Sequence, residues 1–179
     1  MAVLTAAITG KVPVVPNDLK RNGPFTNDGL LDATNLRLLD ELQADARTSL
    51  AELGRRVGLS SPAVAERLRR LEQEGVITGY RAEVDPRKLG YGLGVVIRIR
   101  PAPRQLTDVA QLARDTPEVV ECHRVTGDDC YVMTAHVRDV MHLEEVIDQF
   151  AAYGQTTTAI MQSSPVPRRA LPAGPTAAR

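Results

Sequence analysis

Hydrophobic residues recur at helical spacing in three successive runs between residues 32 and 75. In the first run, "DATNLRLLDELQADAR", leucines 38, 39 and 42 follow the i, i+1, i+4 spacing of one helix face. The second run opens with Ser49 and Glu52 in the S-x-x-E pattern of a capping box, which predicts a helix start. The residues expected to point inward from this second helix are Leu50, Leu53 and Val57.

A third helix is predicted to follow after a three-residue turn. Gly58 suits the left-handed position that ends the second helix. Ser61 and Pro62 open the third helix, because proline is favoured at the first helical position, and Gly75 ends it. At about 100° per residue, one stripe of this helix returns to the core, namely Val64, Leu68 and Leu71. The stretch "VITGYRAEV" that comes next is strand-like.

Beyond residue 92 the pattern alternates between periods of two and 3.6, in the order β-α-β-β-α-β. This order is the ferredoxin-like motif, an antiparallel sheet with both helices on one face. The last helix is expected to bury Val140, Leu143, Val146, Ile147 and Phe150. The other face of the sheet needs a cover, for which a second copy of the chain is the simplest candidate. The residues expected on that face are Val96, Arg98, Thr134 and His136, alternating with a helix-covered set of Val95, Ile97, Met133 and Ala135.

The predicted fold class is therefore α+β, with an N-terminal winged helix-turn-helix domain joined to a C-terminal ferredoxin-like βαββαβ domain. The expected limits are an N-terminal extension at 1–30, the helical domain at 31–84, a linker at 85–91, the second domain at 92–163 and a flexible tail at 164–179.

The charge of the chain gives little support to nucleic-acid binding by itself. The 179 residues carry 22 basic and 22 acidic side chains, a formal net charge of zero. Residues 92–163 hold six basic and ten acidic side chains, a net charge of −4. Aromatic residues make up only 3% and tryptophan is absent, so no row of rings is available for stacking single-stranded bases. Any contact with double-stranded DNA must come from the local placement of arginines.

Cysteine usage and the N-terminus predict a cytoplasmic protein. Cys122 and Cys130 fall on two strands of one hairpin that turns near Gly127, where they are out of register, so we expect two free thiols. The first 25 residues lack a basic start and are interrupted by prolines, which argues against a signal peptide. No run has the length of a membrane span, and no paired spacing of metal ligands occurs.

The third helix presents the candidate DNA-binding surface. The residues expected at or near base edges are Ser60, Ser61, Ala63, Glu66, Arg67 and Arg70. We expect Arg69, on the flank, and Arg81 on phosphates. The alternative is that any helical hairpin has a charged outer face, and Glu66, Glu72 and Glu74 offset the basic charge here. A helix that has lost DNA binding and serves only in assembly would fit the same residues.

A resemblance covering residues 31–163 favours the DNA-binding interpretation. The stretch from "LLDATNLRLLDELQ" through "SLAELGRRVGLSSPAVAERLRRLEQEGVITGY" resembles the winged helix-turn-helix domain of the Lrp/AsnC (feast/famine) transcription regulators. The stretch "VTGDDCYVMTAHVRD" is similar to the central hairpin of that family's amino-acid-responsive domain. The resemblance implies dimers that assemble further, often to octamers, with small amino acids as effectors. Two positions depart from the family pattern: Asn35, where the family usually has Asp, and the hairpin G-D-D-C-Y in place of G-D-Y-D-Y.

The hairpin turn is the candidate effector site. A free amino acid needs N–H or hydroxyl donors for its carboxylate and an acidic group for its ammonium. Gly127 can present backbone N–H groups, and two aspartates follow it. The residues expected to contact the amino acid are Gly127, Asp128 and Asp129 with Thr156, Thr157 and Thr158. The alternative is that Gly-Asp-Asp is only a good hairpin turn and that the threonines only favour a strand.

Enzymatic functions find less support in the residues. The chain lacks a P-loop, a nucleophile elbow and a zinc-protease motif, and no cofactor is expected apart from the amino-acid effector. Some siroheme decarboxylases resemble the same two-domain family and would need a basic, histidine-bearing cavity for an anionic tetrapyrrole. The histidines at 123, 136 and 142 are scattered and the second domain is acidic, which disfavours this alternative.

Overall fold

The computed structural model describes residues 29–173 of the chain. The described residues divide into two compact units, one formed by residues 29–79 with 171–173 and the other by residues 80–170. The predicted extension at 1–30 lies almost entirely outside the described residues, as does the end of the predicted tail. The limits predicted for the domains stay predictions.

The first unit is built on three helices, α1 (Ala33–Ala44), α2 (Leu50–Val57) and α3 (Ser61–Gln73). Their predicted inward stripes meet in one core formed by Leu38, Leu42, Leu53, Val64, Leu68 and Leu71. Leu50 was predicted wrongly, because it stands at the first position of α2 and is 41% exposed. Arg56 joins α2 to α1 through Glu41, and its guanidinium also reaches Glu52.

Glycines set the turn between α2 and α3. Gly58 ends α2 in the left-handed conformation at φ 75°, as predicted. The N–H of Leu59 donates to the carbonyl of Gly54 at 2.8 Å, which brings the chain back over α2. A Cβ at Gly54 would lie inside van der Waals contact with the carbonyl oxygen of Leu59. The close approach of α3 to α2 therefore requires glycine at position 54.

The helix starts follow the predicted chemistry with two differences. Ser49 caps α2 by accepting from the N–H of Glu52 at 3.2 Å. The Glu52 carboxylate binds Arg55 and Arg56, whose guanidinium groups compete with the backbone partner that a full capping box would use. Ser61 is the first helical residue of α3, as predicted, but the N-cap is Ser60, so Pro62 stands at the second helical position and not the first. The Ser60 hydroxyl accepts from the N–H three residues on, the geometry that an N-cap requires.

The strand predicted at "VITGYRAEV" is absent, and the prediction was wrong for this chain. Residues 77–85 form neither helix nor strand. A strand needs a neighbour for its backbone N–H and C=O groups, and none of the four described strands pairs with this segment. A short 3₁₀ helix follows at Pro86–Leu89 and ends at Gly90 with φ 91°.

The second unit has the predicted βαββαβ order. Its four strands are β1 (Leu93–Pro101), β2 (Val119–Arg124), β3 (Tyr131–Val137) and β4 (Gly154–Ile160). They form an antiparallel sheet in the order β2-β3-β1-β4. The helices α4 (Leu106–Asp115) and α5 (Val140–Ala151) supply the rest of the core, which includes Val109, Leu143, Val146 and Phe150. Val140 was predicted to point inward but is 55% exposed, because it is the first residue of α5.

The predicted alternation of the two sheet faces is confirmed. Val95, Ile97, Met133 and Ala135 are all fully buried beneath the helices. Val96, Thr134 and His136 on the opposite face are half-buried and Arg98 is exposed. This second surface, which we call the open sheet face, is covered by neither α4 nor α5, although Pro86 and Leu89 of the 3₁₀ helix line a pocket with His136 at its edge.

Residues 164–173 carry no helix or strand, but some of them are bonded to the folded units. Within the first unit, the amide of Gln43 donates to the carbonyl of Leu171 at 2.9 Å. The N–H of Ala173 donates to Asp40 at 2.9 Å. Within the second unit, Arg168 pairs with Glu121 at 3.2 Å. This part of the predicted flexible tail is therefore attached at three points.

No helix between residues 29 and 173 is both long and apolar enough to cross a membrane.

Candidate DNA-binding helix and effector turn

The solvent-facing side of α3 joins a polar depression of about 360 Å³ on the first unit. The N-terminal end of α3 carries small side chains, with Ser60 at the cap and Pro62 in the first turn. Four of the predicted DNA-binding residues line the depression together with residues from the start of α1, and the full lining is Gly29, Asp32, Asn35, Ala63, Glu66, Arg67 and Arg70.

Arg69 is an exposed arginine that is already paired within α3. Its Nε donates to Glu66 at 3.0 Å, and its Nη1 donates to the side-chain oxygen of Gln73 at 2.8 Å. The hydrogen bond from Arg69 lowers the pKa of Glu66, so the carboxylate is held in its charged form. This pair is on the surface, where ion pairs contribute little to stability, and a DNA phosphate can replace Glu66 as the partner.

Arg67 occupies a different position from the one predicted. Four residues advance about 40° beyond a full helical turn, so Arg67 lies close to the line of the buried Leu71 rather than on the outer face. Its Nη1 donates to Asp32 Oδ2 at 2.7 Å and to Asn35 Oδ1 at 3.0 Å. The Arg67 side chain is 34% exposed, against 54% for Arg69. Arg67 is thus turned towards the start of α1.

Asp32 and Asn35 are site residues that the sequence reasoning missed. Asp32 caps α1, because its Oδ1 accepts from the N–H of Asn35 at 2.7 Å. The Asn35 amide donates to the carbonyl of Leu30 at 2.6 Å, and Asn35 is only 4% exposed. The cap hydrogen bond and then the bond from Arg67 lower the pKa of Asp32. Asp32 immediately before a helical pattern was a visible N-cap signal, but its link to α3 depends on packing between helices.

Arg70 and Arg81 remain exposed, as predicted. Within residues 29–173, the guanidinium of Arg70 has no hydrogen-bond or salt-bridge partner, although its charge helps to lower the pKa of Glu66 through space. Arg81 belongs to the irregular segment that replaces the predicted strand.

The second candidate site is the turn between β2 and β3. Gly127 adopts φ 107°, which a side-chain-bearing residue would rarely do. The Nε of Arg100 donates to the carbonyl of Asp128 at 2.8 Å, and its Nη2 lies 3.4 Å from the Asp128 carboxylate. Arg98 lies 3.8 Å from Asp129. Two arginines of β1 that the sequence reasoning did not assign to the site therefore stand beside the two predicted aspartates.

The three predicted threonines do not share one face of β4. Thr157 pairs in register with Arg98 and lies on the open sheet face. Thr156 and Thr158 pair with Ile99 and Ile97, so they point to the helix side. Because side chains alternate along a strand, a ligand on the open sheet face reaches Thr157 but not its two neighbours.

Comparison with known proteins identifies both units. Residues 31–78 match the family model "Winged helix-turn-helix DNA-binding". Residues 94–171 match the family model "Lrp/AsnC ligand binding domain". The HTH-type transcriptional regulator YezC of Bacillus subtilis is 41% identical over 134 residues, which are 75% of this chain and 95% of YezC. The chain belongs to the Lrp/AsnC family.

Solved structures of Lrp/AsnC proteins have the same fold. The chain superposes on Bacillus subtilis LrpC with a TM-score of 0.71 and 32% identity, covering 74% of this chain and 95% of LrpC. A feast or famine regulatory protein of Mycobacterium tuberculosis, solved in complex with L-methionine, gives a TM-score of 0.75 at 33% identity and covers 79% of this chain and 99% of its own. The family prediction and the fold class are thereby confirmed, and so is the assignment as a DNA-binding transcriptional regulator.

One histidine of this Lrp/AsnC chain, His142, has a structural role, and both cysteines are free. His142 is buried near the start of α5, with its Nε2 3.1 Å from a Glu118 oxygen. The N–H of Arg138 donates to its other ring nitrogen at 3.2 Å. Cys122 and Cys130 are free, and burial raises the pKa of the Cys122 thiol. Across the described ranges, no group of three or more His, Cys, Asp or Glu side chains is arranged to hold a metal ion.

Proposed function

We propose that this Lrp/AsnC regulator binds specific operator sequences by laying α3 in the major groove of DNA. The observation that carries the proposal is the tight turn at Gly54 and Gly58, which fixes α3 across α2 with its outer face exposed. The residues proposed at or near base edges are Ser60, Ser61, Ala63, Glu66 and Arg70, with Arg69 and Arg81 on phosphates. Arg67 is left out of this set because its guanidinium is bonded to Asp32 and Asn35.

A gel-shift titration against the promoter beside the protein's own gene tests this proposal. The full chain should retain that DNA at lower concentration than an unrelated fragment of equal length. Arg70→Ala should weaken retention of the promoter. Arg114→Ala, which removes the same charge from an exposed position on α4, should have no effect and serves as the matched control. Equal retention of both fragments at every salt concentration would rule out sequence-specific binding.

We further propose that an amino acid binds at the turn formed by Gly127, Asp128 and Asp129. Two relatives support this, the Mycobacterium tuberculosis protein and a Neisseria meningitidis regulator, which is 27% identical to this chain; both were solved with L-methionine. In this proposal the two aspartates accept hydrogen bonds from the ammonium group of the amino acid. The carboxylate of the amino acid replaces the aspartates as the partner of Arg98 and Arg100, with the Thr157 hydroxyl beside them.

Calorimetry with each of the twenty amino acids at millimolar concentration tests the effector proposal. We expect heat from at least one amino acid and its loss in the variant Asp128→Ala/Asp129→Ala. The Thr157→Val variant should weaken binding more than Thr158→Val, because only Thr157 lies on the open sheet face. Absence of heat from all twenty would leave a plain hairpin turn.

The proposed assembly is a homodimer formed through the open sheet face, which assembles further, to an octamer as the family resemblance implies. Its support is the half-buried row of Val96, Thr134 and His136, which neither α4 nor α5 covers. We propose that the protein acts in the cytoplasm and is not an enzyme, because the relatives are transcriptional regulators. Purified protein mixed with a tetrapyrrole should show no shifted absorption band.

A further inference from the structure

We infer that the two arginines of α3 that line the polar depression have different roles. Arg70 determines base preference, whereas Arg67 is a positioning residue that acts through Asp32 and Asn35. This inference rests on the proposed binding of α3 to DNA. The sequence pattern alone predicts that both Arg67 and Arg70 contact bases, whereas this inference assigns base specificity to Arg70 alone.

Arg67 is committed to contacts within the first unit. One guanidinium nitrogen serves two acceptors, Asp32 at 2.7 Å and Asn35 at 3.0 Å. Both acceptors belong to the start of α1, and Asn35 is buried at 4% exposure. Turning the guanidinium out of the depression towards a guanine would break both bonds, and the buried Asn35 oxygen would lose this partner. That loss would offset part of the free energy of a base contact.

The same contacts fix the position of α3. The Oδ1 of Asp32 accepts from the N–H of Asn35 in the first turn of α1, and its Oδ2 accepts from Arg67 of α3. The amide of Asn35 continues the chain of bonds to the carbonyl of Leu30. Because a planar guanidinium joins two acceptors at defined angles, Arg67 ties the middle of α3 to the first turn of α1. This contact sets how far the outer face of α3 can enter a groove.

Arg70 has the opposite properties. It is exposed, and within the described part of the chain no carboxylate or carbonyl holds its guanidinium. Ala63 lies seven residues earlier and nearly on the same helical line, so a small side chain precedes Arg70 along the surface that would face the groove. Arg69, the remaining arginine of α3, is bonded to Glu66 and Gln73 and points to the flank. Arg70 is therefore the arginine of α3 that can reach a guanine without breaking an existing contact.

Affinity measurements on a selected operator and all its single base-pair variants test the two roles. Arg70→Ala should lower affinity for the selected operator by roughly 5- to 150-fold, the range of one bidentate base contact, and should equalise the bases at one position of each half-site. Arg67→Gln should lower affinity for every operator variant by a common factor and leave the order of base preferences unchanged.

Asp32→Asn removes the same ion pair from the side of α1. Asparagine caps a helix as well as aspartate does, so the cap of α1 should be kept. We expect this variant to resemble Arg67→Gln, and we expect the double variant to be no weaker than either single one. Arg67→Lys, which keeps the charge without the planar fork, should recover less than half of the lost affinity. Melting curves of each variant confirm that the first unit is folded at the assay temperature.

The inference is overturned if Arg67→Gln removes preference at a base pair while Arg70→Ala leaves every preference intact. It is also overturned if the effects of Asp32→Asn and Arg67→Gln multiply, since independent residues behave in that way. A wild-type chain that prefers no operator would instead refute the proposed function, and that result is recognisable before any variant is made.

Discussion

Asp32 holds two parts of the DNA-binding unit with one carboxylate. Its first oxygen caps α1 and its second binds Arg67 of α3. The cap and the guanidinium both favour the charged form, which is why the pKa of Asp32 lies below its ordinary value of 3.8. Protonation therefore removes a helix cap and an interhelical contact in the same step.

The pH dependence of folding should report this carboxylate. A folded-state pKa below the unfolded value stabilises the protein above the unfolded pKa, and the stabilisation is lost as the pH falls through the folded pKa. The melting temperature of the first unit should therefore fall below about pH 4 more steeply in the wild type than in Asp32→Asn. Thermal melts between about pH 2 and pH 7 measure this. Parallel curves for the two proteins would mean that Asp32 contributes nothing.

Gly54→Ala is expected to change the stability of the first unit in the direction opposite to the usual effect of Gly→Ala in a helix. In an open helix, Gly→Ala stabilises by up to about 1 kcal/mol, because alanine is the better helix former. At position 54 the new methyl group would overlap the carbonyl oxygen of Leu59, a backbone atom that cannot rotate away. Gly54→Ala should therefore destabilise the first unit by about 1–3 kcal/mol in denaturant titrations. An increase in stability would show that the turn is not closely packed.

The spacing of hydrophobic residues was enough to predict the five described α-helices, because each buries a stripe against its neighbours, but not the 3₁₀ helix Pro86–Leu89, which buries no residue. It was weakest at the flanks and ends of these helices. Arg67 lies beside the core stripe of α3, where 40° of rotation decides whether a side chain faces solvent or α1. The segment after α3 has strand-like residues, but none of the four described strands pairs with it. Ion pairs such as Arg98 with Asp129 depend on strand register and leave no local signal.

The flank of α3 should contribute affinity without preference. Arg69 is proposed on a phosphate, so Arg69→Ala should weaken binding to all DNA sequences alike. The slope of log affinity against log salt should become shallower by about one unit, because one fewer counterion is released. Fluorescence anisotropy at several salt concentrations measures this slope. A change confined to one operator, with the slope unaltered, would place Arg69 on a base instead.

The open sheet face is the surface through which we propose that two copies of the chain form a dimer. Val96 lies near the centre of this face on β1, paired with Thr134 and Ala159. In a symmetric dimer, Val96→Asp would bury a carboxylate and should dissociate the protein at micromolar concentration in light scattering. Gln149→Asp, on the exposed side of α5, adds the same charge and should leave the dimer intact. A wild-type monomer at this concentration would contradict the proposed assembly.

Recognition of a specific DNA sequence by α3 can be measured by sequencing the random DNA fragments that the purified full chain retains. We predict one enriched motif with two inverted half-sites, whose centres are separated by about one helical turn or a multiple of it, because a two-fold dimer presents two copies of α3. In the same selection with Arg70→Ala, one base position in each half-site should lose its preference. Retained fragments without a common sequence would contradict sequence recognition by α3.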